Sequence, residues 1–164
     1  AYSILGQIYV VLPLALLGVW GYKSDYQLFM NTEYLLMALF VFVWTNDTGA
    51  YIVGCTLGKH RLFERISPKK SWEGFFGGLA FCIILASLAN YIIPGMLSTA
   101  QWIGMGILTS IFSTWGDLCE SLLKRTAGVK DSGKILPGHG GILDRFDSEL
   151  IASPVIFIYL TFVL

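Results

Sequence analysis

The chain has 164 residues, 55% of them hydrophobic and 15% aromatic, and its eleven basic and eleven acidic side chains cancel to a net charge of zero. With a mean hydropathy of +0.66 it is more apolar than a soluble domain, whose apolar share is roughly 45 to 50%. These figures point to an integral membrane protein, and no nucleic-acid partner is expected.

A helix that crosses the hydrocarbon core needs about 20 apolar residues. Residues 2–22 supply a first, uncharged segment. It has no basic flank, so a cleavable signal peptide is not expected. The chain starts at Ala1 without a methionine and reads as a piece of a longer protein. Residues 34–58 form the second segment, interrupted by Asn46, Asp47 and Thr48. A carboxylate near the centre of a span costs about 2.5 to 3.5 kcal/mol on insertion scales, so Asp47 is expected to face an aqueous cavity. Asn46, Asp47 and Thr48 would then wall a polar pocket for a base, a ribose or a metal-bound water. The bland alternative is hydrogen bonding between helices.

Next come Lys59, His60 and Arg61, then Ser67-Pro68-Lys69-Lys70-Ser71. Ser67 or Ser71 is predicted to cap the third helix, with Pro68 early in it. Ser67, Lys69, Lys70 and Ser71 read as phosphate contacts, because clustered ammonium and hydroxyl donors suit a polyphosphate. Lys59, Arg61 and Arg65 serve charge topology equally well. The third span covers residues 74–94, with glycines suited to close helix packing. The fourth covers residues 101 to about 124 and turns polar after Ser113. Ser113, Asp117, Glu120, Ser121 and Lys124 fall on one stripe at helical spacing, which must look into the bundle or a wet cleft.

Residues 130–141 are too rich in Gly, with Pro137, to be helical and predict an ordered loop. Its glycines let backbone amides approach a phosphate, although no Walker A pattern is present. His139 reads as a phosphate donor rather than a metal ligand. A fifth span begins after Gly141 and runs to Leu164, with Pro154 kinking it or marking its start. In it Asp144 and Asp147 share a face at i and i+3. Carboxylates converging without Cys or clustered His suit a hard cation, and beside phosphates that cation is Mg²⁺. No serine sits in a GxSxG elbow, which disfavours a Ser/His/Asp hydrolase. Cys55, Cys82 and Cys119 read as reduced packing residues.

All Lys and Arg except Lys23 lie in residues 59–70 and 124–145. Alternating spans put both stretches on one side, which the positive-inside rule assigns to the cytoplasm. The expected fold is an all-α, polytopic bundle of about five spans with a cytoplasm-facing polar site. It forms one domain over residues 1–164: a generic span and loop over 1–33, and a functional region over 34–164.

Ser121, Lys124-Arg125, Lys130-Asp131, Gly133, Pro137, His139-Gly140-Gly141, Asp144-Arg145 and Asp147 match, without a gap, the signature of the phosphatidate cytidylyltransferase family. The segments at Asn46 to Thr48 and Ser67 to Ser71 also resemble that family, whose further N-terminal spans have no counterpart in this chain. The resemblance implies a homodimeric, Mg²⁺-dependent enzyme of the bacterial inner membrane. It would condense CTP with phosphatidic acid to CDP-diacylglycerol and pyrophosphate in phospholipid biosynthesis. Asp117 and Asp144 would hold one or two cations, with Asp147 completing or supporting the shell. Lys124, Arg125, Lys130, Lys134 and Arg145 would neutralise the triphosphate or lipid head group. Asn46, Asp47, Thr48, Ser67, Lys69, Lys70, Ser71, Asp131, His139, Gly140 and Gly141 would line the nucleotide site. Phosphatidate is already an anionic nucleophile, so the protein's task is to position two polyanions and stabilise developing charge. A CTP-dependent isoprenoid alcohol kinase is the alternative enzyme. An ion or phosphate transporter is the non-enzyme alternative, opposed by charges that gather at one face rather than at the midplane.

Overall fold

The structure is a computed structural model that describes residues 9–18, 32–129, 132–133, 141 and 143–164. In chain order its elements are α1 (Tyr9–Gly18), α2 (Thr32–Leu57), β1 (Arg61–Phe63), β2 (Ser67–Ser71), α3 (Trp72–Ile92), α4 (Thr99–Thr126) and α5 (Leu143–Val163). Three helices are long and apolar enough to cross a membrane: Tyr34–Leu57, Trp72–Ile92 and Leu143–Val163. The 28-residue α4 is not among them, because its second half carries Asp117, Glu120, Lys124 and Arg125. Of the span expected over residues 2–22, the helix Tyr9–Gly18 falls within the described residues.

α2 packs chiefly on α3, and α4 on α5 and α3. The first contact depends on missing side chains. A Cβ at Gly77 would meet Val53 Cβ at 2.5 Å, and one at Gly78 would meet Asn46 Oδ1 at 2.5 Å and the Asn46 carbonyl at 2.7 Å. Small residues of this kind let helix backbones approach in lipid, where no hydrophobic force drives helices together. The core between the helices holds Leu39, Phe42, Ala86, Trp102, Met105 and Ile156, all buried. Met37, Ile84, Leu88, Ile158 and Phe162 are exposed on the outside. In water such a surface would be a liability; in a bilayer it is the wetted one. The molecule is built as a membrane protein.

The termini of α4 are well defined. Ser98 caps its start in a reciprocal capping box with Gln101, and Gly128 at φ +70° turns the chain away, its N–H donating to the Arg125 carbonyl at 3.1 Å. Pro154 sits inside α5.

The fold is not purely helical. β1 and β2 pair antiparallel, with Arg61 opposite Ser71 and Phe63 opposite Ser67. Pro68, expected in the first turn of α3, lies in β2 instead. A residue preceding proline is pushed to extended backbone, and proline is tolerated on an edge strand because its missing N–H faces away from the ladder. The expected cap holds at Ser71, whose hydroxyl accepts from Gly74 N–H at 3.1 Å. The hairpin base is clasped to α3: Trp72 N–H donates to the His60 carbonyl at 3.0 Å, and Glu73 accepts from the His60 N–H and approaches its ring Nδ1 at 2.6 Å. The cysteines are free thiols. Cys82 packs in the core, whereas Cys55 is exposed and is not the buried packing residue expected.

Candidate functional site

The C-terminal ends of α2 and α4 and the N-terminal ends of α3 and α5 meet at one end of the bundle, and polar side chains from all of them converge there. Asp47, Asp117, Asp144, Arg145, Asp147 and Glu149 border a cavity of about 360 Å³. Asp47 and Asp117 also border a second chamber of about 260 Å³, together with Tyr51, Lys69, Lys70 and Ser71. The two chambers adjoin as one polar cleft, acidic on the α5 side and basic on the hairpin side.

Local backbone geometry sets this up. A Cβ at Gly116 would lie 2.6 Å from the Asp147 carbonyl and 3.1 Å from that of Ser148, so α4 and α5 touch backbone to backbone beside Asp117 and Asp147. Lys70, at the end of β2, reaches across to Asp117 Oδ2 at 2.5 Å. Ser121 Oγ donates to Asp117 Oδ1 at 3.2 Å. The stripe predicted on α4 does look inward: Ser113 and Glu120 are buried, and Lys124 ion-pairs with Glu120 while donating to Asp144 Oδ1 at 2.8 Å. Asp144 Oδ2 accepts from Gly141 N–H at 2.7 Å, Ser132 Oγ at 2.9 Å and Ser132 N–H at 3.0 Å. Asp144 thus ties Ser132 and Gly141 to the start of α5. Asp147 Oδ1 accepts from Ser148 N–H at 2.6 Å and Ser148 Oγ at 3.2 Å.

The other expected site residues are distributed as follows. Asn46 borders the lysine chamber but commits its amide to α4: Nδ2 donates to Ser113 Oγ at 3.1 Å, and Oδ1 accepts from Ser110 Oγ at 2.6 Å. It is 2% exposed and acts as a helix tie. Thr48 turns its hydroxyl back to the Trp44 carbonyl at 2.7 Å and borders neither chamber. Ser67 lies at the far end of β2 from Ser71 and also borders neither chamber. Arg125 points into a separate cavity beside the hairpin, away from the aspartates. Lys130, Asp131, Lys134, His139 and Gly140 lie outside the described residues.

Sequence reasoning did not single out Glu149 or Tyr51. Glu149 is buried, 4% exposed, and its Oε2 has no hydrogen-bond partner. It follows Asp144 by five residues, off the i, i+3 face that drew attention to Asp144 and Asp147. Tyr51 lies four residues after Asp47, one helical turn on, which was the available signal.

The donor set can be tested against a divalent cation. It is all oxygen, more acidic than its neighbouring bases neutralise, and it includes a buried carboxylate oxygen without a partner. Among the described residues no three His, Cys, Asp or Glu side chains form a ready-made metal cluster. The described residues alone therefore make no closed protein cage. The mode usual for Mg²⁺ does fit, since that ion takes one or two carboxylates and completes its shell with water and substrate phosphates.

A helical membrane bundle with an acidic cleft flanked by lysines at one end is the class of protein defined by this fold and site. The chain belongs to the cytidylyltransferase family, whose family model matches residues 2–163. The resemblance drawn from residues 121–147 is thereby borne out. Similar curated proteins include the phosphatidate cytidylyltransferases of Staphylococcus aureus (strain COL), 41% identical over 160 residues, and Staphylococcus haemolyticus (strain JCSC1435), 41% identical over 159. That of Staphylococcus epidermidis (strain ATCC 12228 / FDA PCI 1200) is 40% identical over 159 residues. Each match covers 97% of this chain and 61% of the relative, so the chain spans about three-fifths of the relatives' length.

Proposed function

We propose that the protein of which this chain is part is a CTP:phosphatidate cytidylyltransferase, joining CTP to phosphatidic acid to give CDP-diacylglycerol and pyrophosphate. The observation that carries this reading is the convergence of Asp47, Asp117, Asp144 and Asp147 on one cavity that adjoins a chamber lined by Lys69, Lys70 and Ser71. Family membership and the names of the relatives support it.

In this reading Asp117 and Asp144 would hold Mg²⁺, with Asp147 supporting that shell and Asp47 close by; the ion would supply charge neutralisation between phosphates that otherwise repel. Lys69, Lys70 and Ser71 take the polyphosphate. Lys70 is paired with Asp117, and an arriving phosphate offers it a competing anion, so nucleotide binding and release of the Asp117 carboxylate are coupled. Lys124 holds Asp144 against α4, with buried Glu120 fixing the ammonium from behind. Arg145 borders the acidic chamber and is placed to meet the α-phosphate or the lipid phosphate. No side chain need act as a strong base, because the lipid phosphate attacks as an anion. The catalytic contribution is orientation and preorganised charge.

The reading extends to α1 and α4 as further membrane-crossing helices, giving about five spans, and to a cleft that faces the cytoplasm of a bacterial inner membrane, supported by the clustering of Lys and Arg in residues 59–70 and 124–145. The family resemblance adds a homodimer. The test is incubation of the full-length protein with labelled CTP, phosphatidic acid and Mg²⁺, followed by identification of the lipid product. CMP retained on the lipid is expected. Release of CDP with transfer of one phosphate to an isoprenoid alcohol would instead make it a kinase.

A further inference from the structure

A third cavity, of about 670 Å³, lies between the hairpin tip and the last turns of α4. Leu62, Phe63, Arg65 and Ile66 line it from the hairpin, and Leu122 and Arg125 from α4. The tip is held by a backbone bond from Ile66 N–H to the Phe63 carbonyl at 3.2 Å, which fixes Arg65 in the turn. Leu62 also lines the lysine chamber, so the cavity and the cleft share that residue as a wall.

Two features of the cavity call for a ligand. Arg65 and Arg125 are both exposed at the cavity mouth, and neither makes a salt bridge or side-chain hydrogen bond within the described residues; Glu64, the one acid on the rim, pairs with neither. Apart from Glu64 and Thr126 the rest of the lining is apolar, with Phe63 47% and Leu122 46% exposed. A soluble anion has no use for such walls. A lipid does, because its phosphate meets the guanidinium groups while its chains run along the apolar ridge. Two planar guanidinium forks, each able to take two oxygens, match a phosphate monoester, with three free oxygens and up to two charges, better than a diester with two oxygens and one charge.

We propose that this cavity is a holding site for the phosphomonoester head group of a glycerolipid, poised next to the catalytic cleft. The identity of the lipid as the substrate rests on the function proposed above; the binding itself does not. Arg125 then belongs to lipid capture, not to the triphosphate.

The test uses full-length protein in phosphatidylcholine nanodiscs doped with dioleoyl phosphatidic acid, with retained lipid read by native mass spectrometry. Arg65→Gln and Arg125→Gln should each weaken retention about tenfold, with Arg65→Lys intermediate because the point charge remains but the fork is lost. Leu122→Trp, which fills the cavity while keeping both arginines, should do the same, and it decides the matter if an arginine variant does not fold. Phosphatidylglycerol at equal mole fraction should be retained far less, and millimolar inorganic phosphate should not displace phosphatidic acid. In turnover, Arg65→Gln should raise KM for the lipid about tenfold and leave KM for CTP unchanged. Wild-type retention in the folded variants would overturn the proposal. So would equal retention of phosphatidylglycerol, displacement by inorganic phosphate, or a rise in KM for CTP alone. Failure of the product assay with lipid retention intact would sink the proposed reaction and leave this site standing.

Discussion

Asp144, in the first turn of α5, joins Lys124 of α4 to Ser132 and Gly141. It faces Lys124 Nζ, Ser132 N–H, Ser132 Oγ and Gly141 N–H, so its carboxylate both anchors the loop and completes the acidic cleft. Asp144→Asn keeps the shape, removes one charge and turns one acceptor oxygen into a donor that faces other donors. Turnover with CTP and Mg²⁺ is expected to fall at least about 100-fold, the scale of losing one preorganised electrostatic contact, while the protein still inserts and folds. Near wild-type incorporation of CTP into lipid would remove Asp144 from the site. The important residue types were legible in the sequence, since Asp117, Asp144 and Asp147 are costly in a membrane unless something compensates them. Their partners were not. No periodicity reveals that Lys70 reaches Asp117, or that Lys124 reaches a carboxylate twenty residues on. Asn46 shows the converse: its polarity was visible, but its use as a tie to Ser110 and Ser113 depends on where α4 passes.

At the scale of elements, apolar run length located α2 to α5 to within about two residues, because hydrocarbon thickness sets a length that sequence must meet. The hairpin escaped notice because its strands are short, basic and carry no apolar alternation, so the period-two signal that marks a strand is absent. The glycines of α3 were legible as packing residues, though not their targets. Gly78 is the sharpest case. Gly78→Ala puts a methyl 2.5 Å from Asn46 Oδ1 and 2.7 Å from its carbonyl; the carbonyl cannot yield, so α2 and α3 must separate. A loss of about 1 to 3 kcal/mol is expected, read as a lower thermal midpoint in detergent. Gly18→Ala, where nothing lies within 4 Å, is the control and should leave the midpoint unchanged. Equal midpoints for the two variants would contradict the close α2–α3 contact.

At the scale of the whole molecule, zero net charge conceals a segregation. Acids from α2, α4 and α5 gather in one cleft beside Lys69, Lys70 and Arg145, and many large apolar side chains of the described helices face outward. Composition alone announced a membrane protein, and charge spacing announced a site at one end. Composition could not rank the helices: α4 has the length to span, but its second half carries Asp117, Glu120, Lys124 and Arg125. The central claim is that this cleft binds a divalent cation together with nucleotide. Its most direct test is Mn²⁺ binding to the full-length protein, followed by electron paramagnetic resonance with and without CTP. Saturable Mn²⁺ binding is expected, tightened by CTP and weakened at least about tenfold by Asp117→Asn or Asp147→Asn. Mn²⁺ affinity unchanged in both variants, with CTP present, would contradict it.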